Sequence, residues 1–173
     1  LADGKARAVV CNSGIANTCN ADGVEKARGM CEITAKALGI APTDVIVAST
    51  GVIGQPLDLS PVEQGMPQLI GELSKAGSDH AAQAIMTTDT RKKEFALTFM
   101  LGGKGCTIGA ISKGSGMIHP NMATMLCFIT TDVAISTPML QKALSAAVAD
   151  SFNMLSIDGD TSTNDLSLIH ISE

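Results

Sequence analysis

A lysine, a histidine and a threonine lie in one glycine-containing segment, KGSGMIHPNMATMLCFITTD, which spans residues 113–132. Its first half is polar, the apolar run 125–129 follows, and Thr124 stands at the junction. A hydroxyl or thiol residue directly after a peptide bond can attack the preceding carbonyl through a five-membered ring, and only Ser, Thr and Cys can do this. Hydrolysis of the resulting ester would cut the chain between Ala123 and Thr124.

The threonine released by such a cut would carry an α-amine beside its own hydroxyl. That amine has a pKa of about 7.7–8.0 in model compounds, so part of it is neutral near pH 7 and can act as a base. The two groups form the nucleophile–base pair of N-terminal threonine enzymes, which react through acyl intermediates. The position of Thr124 alone is weak support for self-cleavage, because Ala-Thr before a strand is a common dipeptide.

Three other loops have a similar composition, and each lies at the end of an apolar segment. They read NSGIAN (12–17), STGVIG (49–54) and MTTDT (86–90). Loops at strand ends commonly form sites. On the residues alone, Thr50 and Thr87 could equally cap turns, and Lys113 could be a solvated loop residue.

Phosphate and metal sites are less well supported. The run GKGCT at 103–107 lies between two strand-like segments and lacks P-loop spacing. The three histidines are scattered. The alternating oxygen side chains of 158–165 lack the glycine and terminal Glu of an EF-hand, so we prefer a turn closed by its own Asx side chains. We expect no metal site.

The elements that position these loops alternate between strands and helices. Apolar, β-branched runs predict strands at 6–11, 45–48, 94–101, 106–112 and 125–131. Helical spacing predicts helices after Asp22, Ser60 and Thr137, and a shorter helix near 81–85. Gly102-Gly103 indicates a hairpin within this α/β order, so the predicted fold is a mixed sheet flanked by helices.

Two of the helices carry more detailed signals. Asp22 and Glu25 form a capping-box pattern, and Gly39 is a C-cap candidate. Pro67 is expected to kink or restart the second helix. The predicted apolar face of the first helix consists of Val24, Ala27, Cys31, Ala35 and Leu38.

Composition excludes several classes of function. The net charge is −5, no cationic stripe is present and Phe is the only aromatic residue type, so we expect no nucleic-acid partner. No apolar run approaches about 18 residues, and no secretory signal is visible. The five cysteines form no CxxC pair; we predict small core residues in a reducing, cytoplasmic compartment.

Five motifs, taken in order, resemble the glutamate N-acetyltransferase / ornithine acetyltransferase family of arginine biosynthesis. They are NSGIAN, ASTGVIG, AIMTTDT, KGSGMIHPNMATML and SFNMLSIDGDTSTND, and together they extend the resemblance over nearly all of residues 6–165. The resemblance implies the ornithine acetyltransferase fold, which is similar to that of self-cleaving, N-terminal-nucleophile-like aminopeptidases.

The family's functional residues transfer to matching positions of this sequence. The resemblance implies that Thr124 is the nucleophile, released by self-cleavage after Ala123, and that Thr50 and Gly51 form the oxyanion hole. Lys113 and Thr87, with Thr124, would contact the substrate. Residues 1–123 would then belong to the α chain, 124–165 would begin the β chain, and 166–173 form an atypical tail.

The implied reaction is transfer of an acetyl group from N-acetylornithine to glutamate through an acetyl-threonine enzyme. Some family members also use acetyl-CoA as a donor, and no separate cofactor is required. The α and β chains of one precursor would assemble into a heterotetramer or larger complex.

Two alternatives remain open at the level of sequence. One is a related self-cleaving aminopeptidase or amidohydrolase, in which water is the acceptor. The other is a catalytically incomplete fragment, because Leu1 is not an initiator Met and family members extend further at both ends. A glutamate and polar substrate contacts of the family's β chain have no counterpart in residues 124–173.

Overall fold

The computed structural model describes residues 4–116, 125–160 and, for the backbone only, 118–119, 122–123 and 166–171. The chain divides into two compact units, Leu1–Gly77 and Ser78–Glu173. Among the described residues, no helix is both long and apolar enough to cross a membrane.

The first unit is built around two parallel strands joined by a helix. Strand β1 (Ala8–Asn12) is followed by helix α1 (Gly23–Leu38), a 3₁₀ turn and strand β2 (Val45–Ser49). The strands pair in parallel, with Ala8 opposite Val45 and Asn12 opposite Ser49. Because they share one direction, their carboxyl ends and the loops that follow lie at the same edge of the sheet.

The core of this unit lies between the two strands, α1 and helix α2 (Ser60–Gly71). Met30 is fully buried at its centre, whereas Val24, assigned to the apolar face from the sequence, is 69% exposed. The predicted face is therefore wrong at its first position. The polar Thr34 can be buried beside Met30 because its hydroxyl donates a 2.8 Å hydrogen bond to the Met30 carbonyl.

The ends of the helices follow the sequence signals in part. Gly39 ends α1 in the left-handed conformation, and its N–H donates to the Ala35 carbonyl, as a C-cap glycine should. Asp22 is the N-cap but makes no capping hydrogen bond through its side chain, so the capping-box prediction is wrong. Helix α2 continues through Pro67 without the predicted restart.

The second unit contains a four-stranded mixed sheet. Its elements include helix α3 (Ser78–Ala84) and strands β3 (Lys93–Leu101) and β4 (Lys104–Lys113). Two short strands, β5 (Ile118–His119) and β6 (Met122–Ala123), precede β7 (Leu126–Thr131), helix α4 (Thr137–Ala149), a 3₁₀ turn and β8 (Leu166–Ile171).

The strand order in this sheet is β3-β4-β7-β8. The first three strands are antiparallel to one another, and β8 pairs in parallel with β7. Parallel and antiparallel pairs thus occur together, and the predicted α/β class with a mixed sheet is confirmed. The tail at 166–171 supplies a strand that was not predicted from the sequence.

The cysteines occupy several environments and form no disulfide. Cys127 is buried in β7, and burial raises the pKa of its thiol to about 11. Cys19 is exposed, so the prediction of a core position is wrong for that residue. Its backbone also has a positive φ of 58°, as a residue in an open loop can adopt.

Candidate active site

The loops that follow β1 and β2 lie side by side and extend the pairing of the two strands. The Thr50 N–H donates to the Asn12 carbonyl at 2.9 Å, and the Val52 N–H donates to the Gly14 carbonyl at 3.2 Å. Ile15 and Val52 form a parallel bridge. The NSGIAN and STGVIG motifs therefore form one hydrogen-bonded structure in the first unit.

The Asn12 side chain holds the first of these loops in shape. Its Nδ2 donates to the Ile15 carbonyl at 2.6 Å, and its Oδ1 accepts from the Gly14 N–H at 2.9 Å. These bonds fix the loop whose Gly14 carbonyl faces Gly51. Asn12 was not among the candidate site residues, although an Asn at a strand end is a typical loop-closing residue.

Gly51 is required where it stands for two reasons. Its φ of 119° is strained for residues with a side chain. A Cβ at this position would also lie 2.3 Å from the Gly14 carbonyl oxygen, closer than any van der Waals contact. The turn can approach the neighbouring loop this closely only without a side chain.

Thr50 lies in the same turn and is buried. Since its backbone N–H already donates to the Asn12 carbonyl, that N–H is engaged within the fold. If Thr50 contributes a donor to an oxyanion, the donor would be its hydroxyl, with the Gly51 N–H as the second group. The assignment of the oxyanion hole to Thr50 and Gly51 stays a prediction.

Thr87 and Lys113 are brought together in the second unit. Lys113 is the last residue of β4 and is only 2% exposed, yet its Nζ donates a 2.8 Å hydrogen bond to the hydroxyl of the exposed Thr87. A buried ammonium needs such polar partners. Residues separated by 26 positions thus present a cation and a hydroxyl at one place.

Asp89 also joins these two segments, and it was not among the candidate site residues. Its carboxylate accepts a 2.8 Å hydrogen bond from the Gly114 N–H and a longer one, 3.4 Å, from the Thr87 N–H. Lys93 forms an ion pair with the same carboxylate. A lysine four residues after an aspartate, at the start of a strand, is the signal in the sequence that could have indicated this pair.

The electrostatics of Asp89 favour its charged form. Burial raises the pKa of the Asp89 carboxyl, but hydrogen bonds from Lys93, Gly114 and Thr87, with the charge of Lys93, outweigh burial and leave the pKa below its usual range. The carboxylate is therefore ionised at neutral pH and can accept all three bonds.

The remaining predicted residues are described only in part. Thr124 lies outside the described residues, and Ala123 is described through its backbone alone, paired with Ile118 across β5 and β6. Pro120 and Asn121 also lie outside them. Thr50 and Gly51 belong to the first unit, and Thr87 and Lys113 belong to the second.

No group of three or more His, Cys, Asp or Glu residues that could hold a metal ion occurs among the residues that are described. In the segment 158–165, the Asp160 N–H donates to the Asp158 side chain at 3.2 Å. This agrees with the Asx-turn interpretation for the first three residues, and 161–165 lie outside the description.

Comparison with known proteins identifies the family to which these loops belong. The family model described as "ArgJ family" matches residues 1–172. The chain belongs to the ArgJ family. The resemblance seen in the five sequence motifs is thereby confirmed over residues 1–172.

Individual relatives show the same relationship. The chain is 55% identical over 163 residues to "Arginine biosynthesis bifunctional protein ArgJ 1" of Clostridium acetobutylicum, covering 94% of this chain and 40% of that protein. It is 52% identical over 167 residues to the ArgJ protein of Symbiobacterium thermophilum, covering 96% and 42%. The chain therefore spans about two fifths of these relatives' length.

A solved structure supports the fold. The crystal structure of the arginine biosynthesis bifunctional protein ArgJ from Bacillus halodurans is 36% identical to this chain and superposes with a TM-score of 0.58. The match covers 68% of this chain and 61% of the solved one. The mixed α/β arrangement is thus shared with an ArgJ protein.

Proposed function

We propose that the protein containing this chain transfers an acetyl group from N-acetylornithine to glutamate through an acetyl-Thr124 intermediate. The observation that carries the proposal is membership of the ArgJ family across residues 1–172, whose relatives are named bifunctional proteins of arginine biosynthesis. The pairing of buried Lys113 with Thr87 supports it, because the resemblance assigns both residues to the substrate.

The first step would be self-cleavage between Ala123 and Thr124. The Thr124 hydroxyl attacks the Ala123 carbonyl, the amide becomes an ester, and water then releases the chain ending at Ala123. Thr124 gains a free α-amine, which serves as the base for its own hydroxyl. Residues 1–123 would form part of the α chain, and the β chain would begin at Thr124.

Acetyl transfer would follow in two half-reactions. The Thr124 oxygen attacks the acetyl carbonyl of N-acetylornithine, its proton passes through the α-amine to the departing nitrogen, and the C–N bond breaks to release ornithine. The α-amine of glutamate then attacks the ester and restores the hydroxyl. Acetyl-CoA would serve as a second donor if a thioester enters the same site.

Each half-reaction passes through a tetrahedral oxyanion that needs positioned donors. The Thr50 hydroxyl and the Gly51 N–H are the groups we assign to it, and each such donor contributes about 3 kcal/mol. The fixed pairing of the 12–17 and 49–54 loops supports this assignment, because a donor held in place requires no rearrangement during the reaction. Lys113 would bind a substrate carboxylate or stabilise charge near the nucleophile.

We further propose that the α and β chains stay together as a heterotetramer or larger assembly in the cytoplasm. The native mass of the purified protein, compared with the masses of its separated chains, tests the stoichiometry. A native particle that contains only one α and one β chain would contradict the tetramer.

The decisive experiment compares the complete protein with its Thr124→Ala and Thr124→Ser variants by intact mass spectrometry. We expect wild type to appear as two chains cut before Thr124, and Thr124→Ala as one uncut chain without transferase activity. Thr124→Ser keeps a hydroxyl, so it should still be cut, although more slowly. Incubation with N-acetylornithine alone should add one acetyl group to the β chain.

Two results would overturn the proposal. An uncut wild-type chain that still transfers acetyl would exclude Thr124 as a self-released nucleophile. If the cut protein converts N-acetylornithine to acetate in the presence of glutamate and makes no N-acetylglutamate, water is the acceptor and the enzyme is a hydrolase.

A further inference from the structure

Three side-by-side hydrogen bonds join residues 87–89 to residues 113–115. Lys113 Nζ donates to the Thr87 hydroxyl at 2.8 Å, the Gly114 N–H donates to the Asp89 carboxylate at 2.8 Å, and the Thr88 and Ser115 hydroxyls share a bond at 2.7 Å. Together they hold the loop between α3 and β3 against the turn at the end of β4.

The three bonds differ in how well they can fix this geometry. The Thr88–Ser115 bond is exposed, so water competes for both hydroxyls. The Lys113–Thr87 bond is made by a long, flexible side chain. The bond between Asp89 and the Gly114 N–H is buried and joins a charged acceptor to the backbone, which makes it the strongest and most rigid of the three.

The surroundings of Asp89 suit this role. Its side chain is fully buried, and the neighbouring Lys93 balances its charge from the protein surface. The carboxylate also accepts from the Thr87 N–H, so one side chain contacts both the loop that carries Thr87 and the residue that follows Lys113. Removing it would leave the buried Gly114 N–H without this acceptor.

We propose that Asp89 is a positioning residue that holds the Lys113 ammonium against Thr87, and so prepares this pair to receive an anionic or carbonyl oxygen of the substrate. The catalytic part of this inference rests on the proposed function. The positioning part depends only on the contacts of Asp89 and can be measured separately.

Positioning is tested first, without any assay of turnover. In the complete protein, wild type is compared with Asp89→Ala, Asp89→Asn and a control, Glu94→Ala. Glu94 is another carboxylate of the same segment, and its side chain accepts a hydrogen bond from the Lys92 ammonium. The first readout is amide hydrogen exchange at Gly114. The second is acylation of the Lys113 amine by a water-soluble, amine-reactive acylating reagent. Both are measured by mass spectrometry.

We expect Asp89→Ala to accelerate exchange at Gly114 and acylation of Lys113 by about tenfold or more, because the turn loses its buried acceptor. Asp89→Asn keeps an oxygen for the Gly114 N–H and should stay within about threefold of wild type, since an exposed lysine partner contributes little. Glu94→Ala should match wild type. If Asp89→Ala leaves both readouts unchanged while the protein is folded, the proposal is overturned.

Kinetics then test the consequence for substrate. For Asp89→Ala we expect KM for N-acetylornithine to rise about tenfold, with a smaller change in kcat per cleaved chain, because a binding contact is displaced while Thr124 is retained. Asp89→Asn should recover most of the wild-type KM. A fall in kcat with KM unchanged in Asp89→Ala would reject the substrate-binding role.

The two parts of the experiment separate the possible failures. Suppose that Lys113 becomes more reactive in Asp89→Ala but the wild-type protein transfers no acetyl group. This result would support the positioning role of Asp89 and overturn the proposed function. Normal acetyl transfer by Asp89→Ala with unchanged Lys113 reactivity would support the proposed function and overturn the role of Asp89.

Discussion

Gly51 shows how a single residue can be fixed by its neighbours. Its positive φ and the Gly14 carbonyl beside it both exclude a side chain. Gly54 offers a matched comparison: its φ of 77° is also positive, but a Cβ there meets nothing within 4 Å. Both glycines therefore carry a conformational cost on substitution, and only Gly51 adds a collision.

We expect Gly54→Ala to lower the free energy of unfolding by about 1–2 kcal/mol, the cost of the left-handed conformation. Gly51→Ala should lower it by at least about 1–3 kcal/mol more, because the Gly14 backbone must also move. Chemical denaturation of the two variants measures the difference. If both variants lose the same free energy of unfolding, the 12–17 loop moves away from the new side chain at no energetic cost.

Some residue-level properties follow from the sequence, and others do not. Glycine at position 51 is compatible with a close backbone approach, since that property belongs to glycine itself. The roles of Asn12 and Asp89 were missed because each depends on partners that the fold brings to it. For Asp89 the decisive partner is Gly114, 25 residues away.

At the scale of elements, features that depend on local sequence were predicted better than features that depend on packing between elements. Gly102 and Gly103 both have positive φ, and the β3–β4 hairpin forms where the two glycines predicted it. The inward face of α1 was less well predicted. Periodicity gives the width of an apolar stripe, but the centre of the buried face depends on how the strands and α2 pack against the helix.

Helix α1 allows a direct comparison between a buried and an exposed apolar residue of one helix. Met30 is fully buried against the core, whereas Val24 lies on the same helix and is largely exposed. We expect Met30→Ala to lower the free energy of unfolding by about 2–5 kcal/mol through lost contacts and a cavity. Val24→Ala should change it by less than about 0.5 kcal/mol. Thermal or denaturant unfolding that ranks Val24 above Met30 would contradict the observed packing.

At the scale of the whole molecule, the order of the motifs predicted the family. The alternation of strands and helices, with one hairpin among them, predicted the mixed sheet. The sequence could not show which surfaces of the chain remain uncovered. Strand β3 is one of the two edge strands of the four-stranded sheet. Side chains at alternate positions point to one face of a strand, which places Phe95, Leu97, Phe99 and Leu101 together.

This face of β3 is apolar and largely open in the 173-residue chain. Phe95 is 60% exposed, and Leu97 and Leu101 are also exposed, while Phe99 is half-buried. Exposed apolar patches and long edge strands promote association between chains. The chain on its own should therefore self-associate through β3 as its concentration rises.

Analytical ultracentrifugation of the 173-residue chain tests this expectation. The double substitution Phe95→Thr with Leu97→Thr introduces β-branched residues, which suit a strand, and reduces its apolar surface, so it should shift association to at least about tenfold higher concentration. Val24→Thr, which alters an exposed apolar residue of α1, is the control and should associate like wild type. If wild type stays monomeric at every concentration, or if the control and the double variant shift equally, β3 is not the surface through which the chains associate.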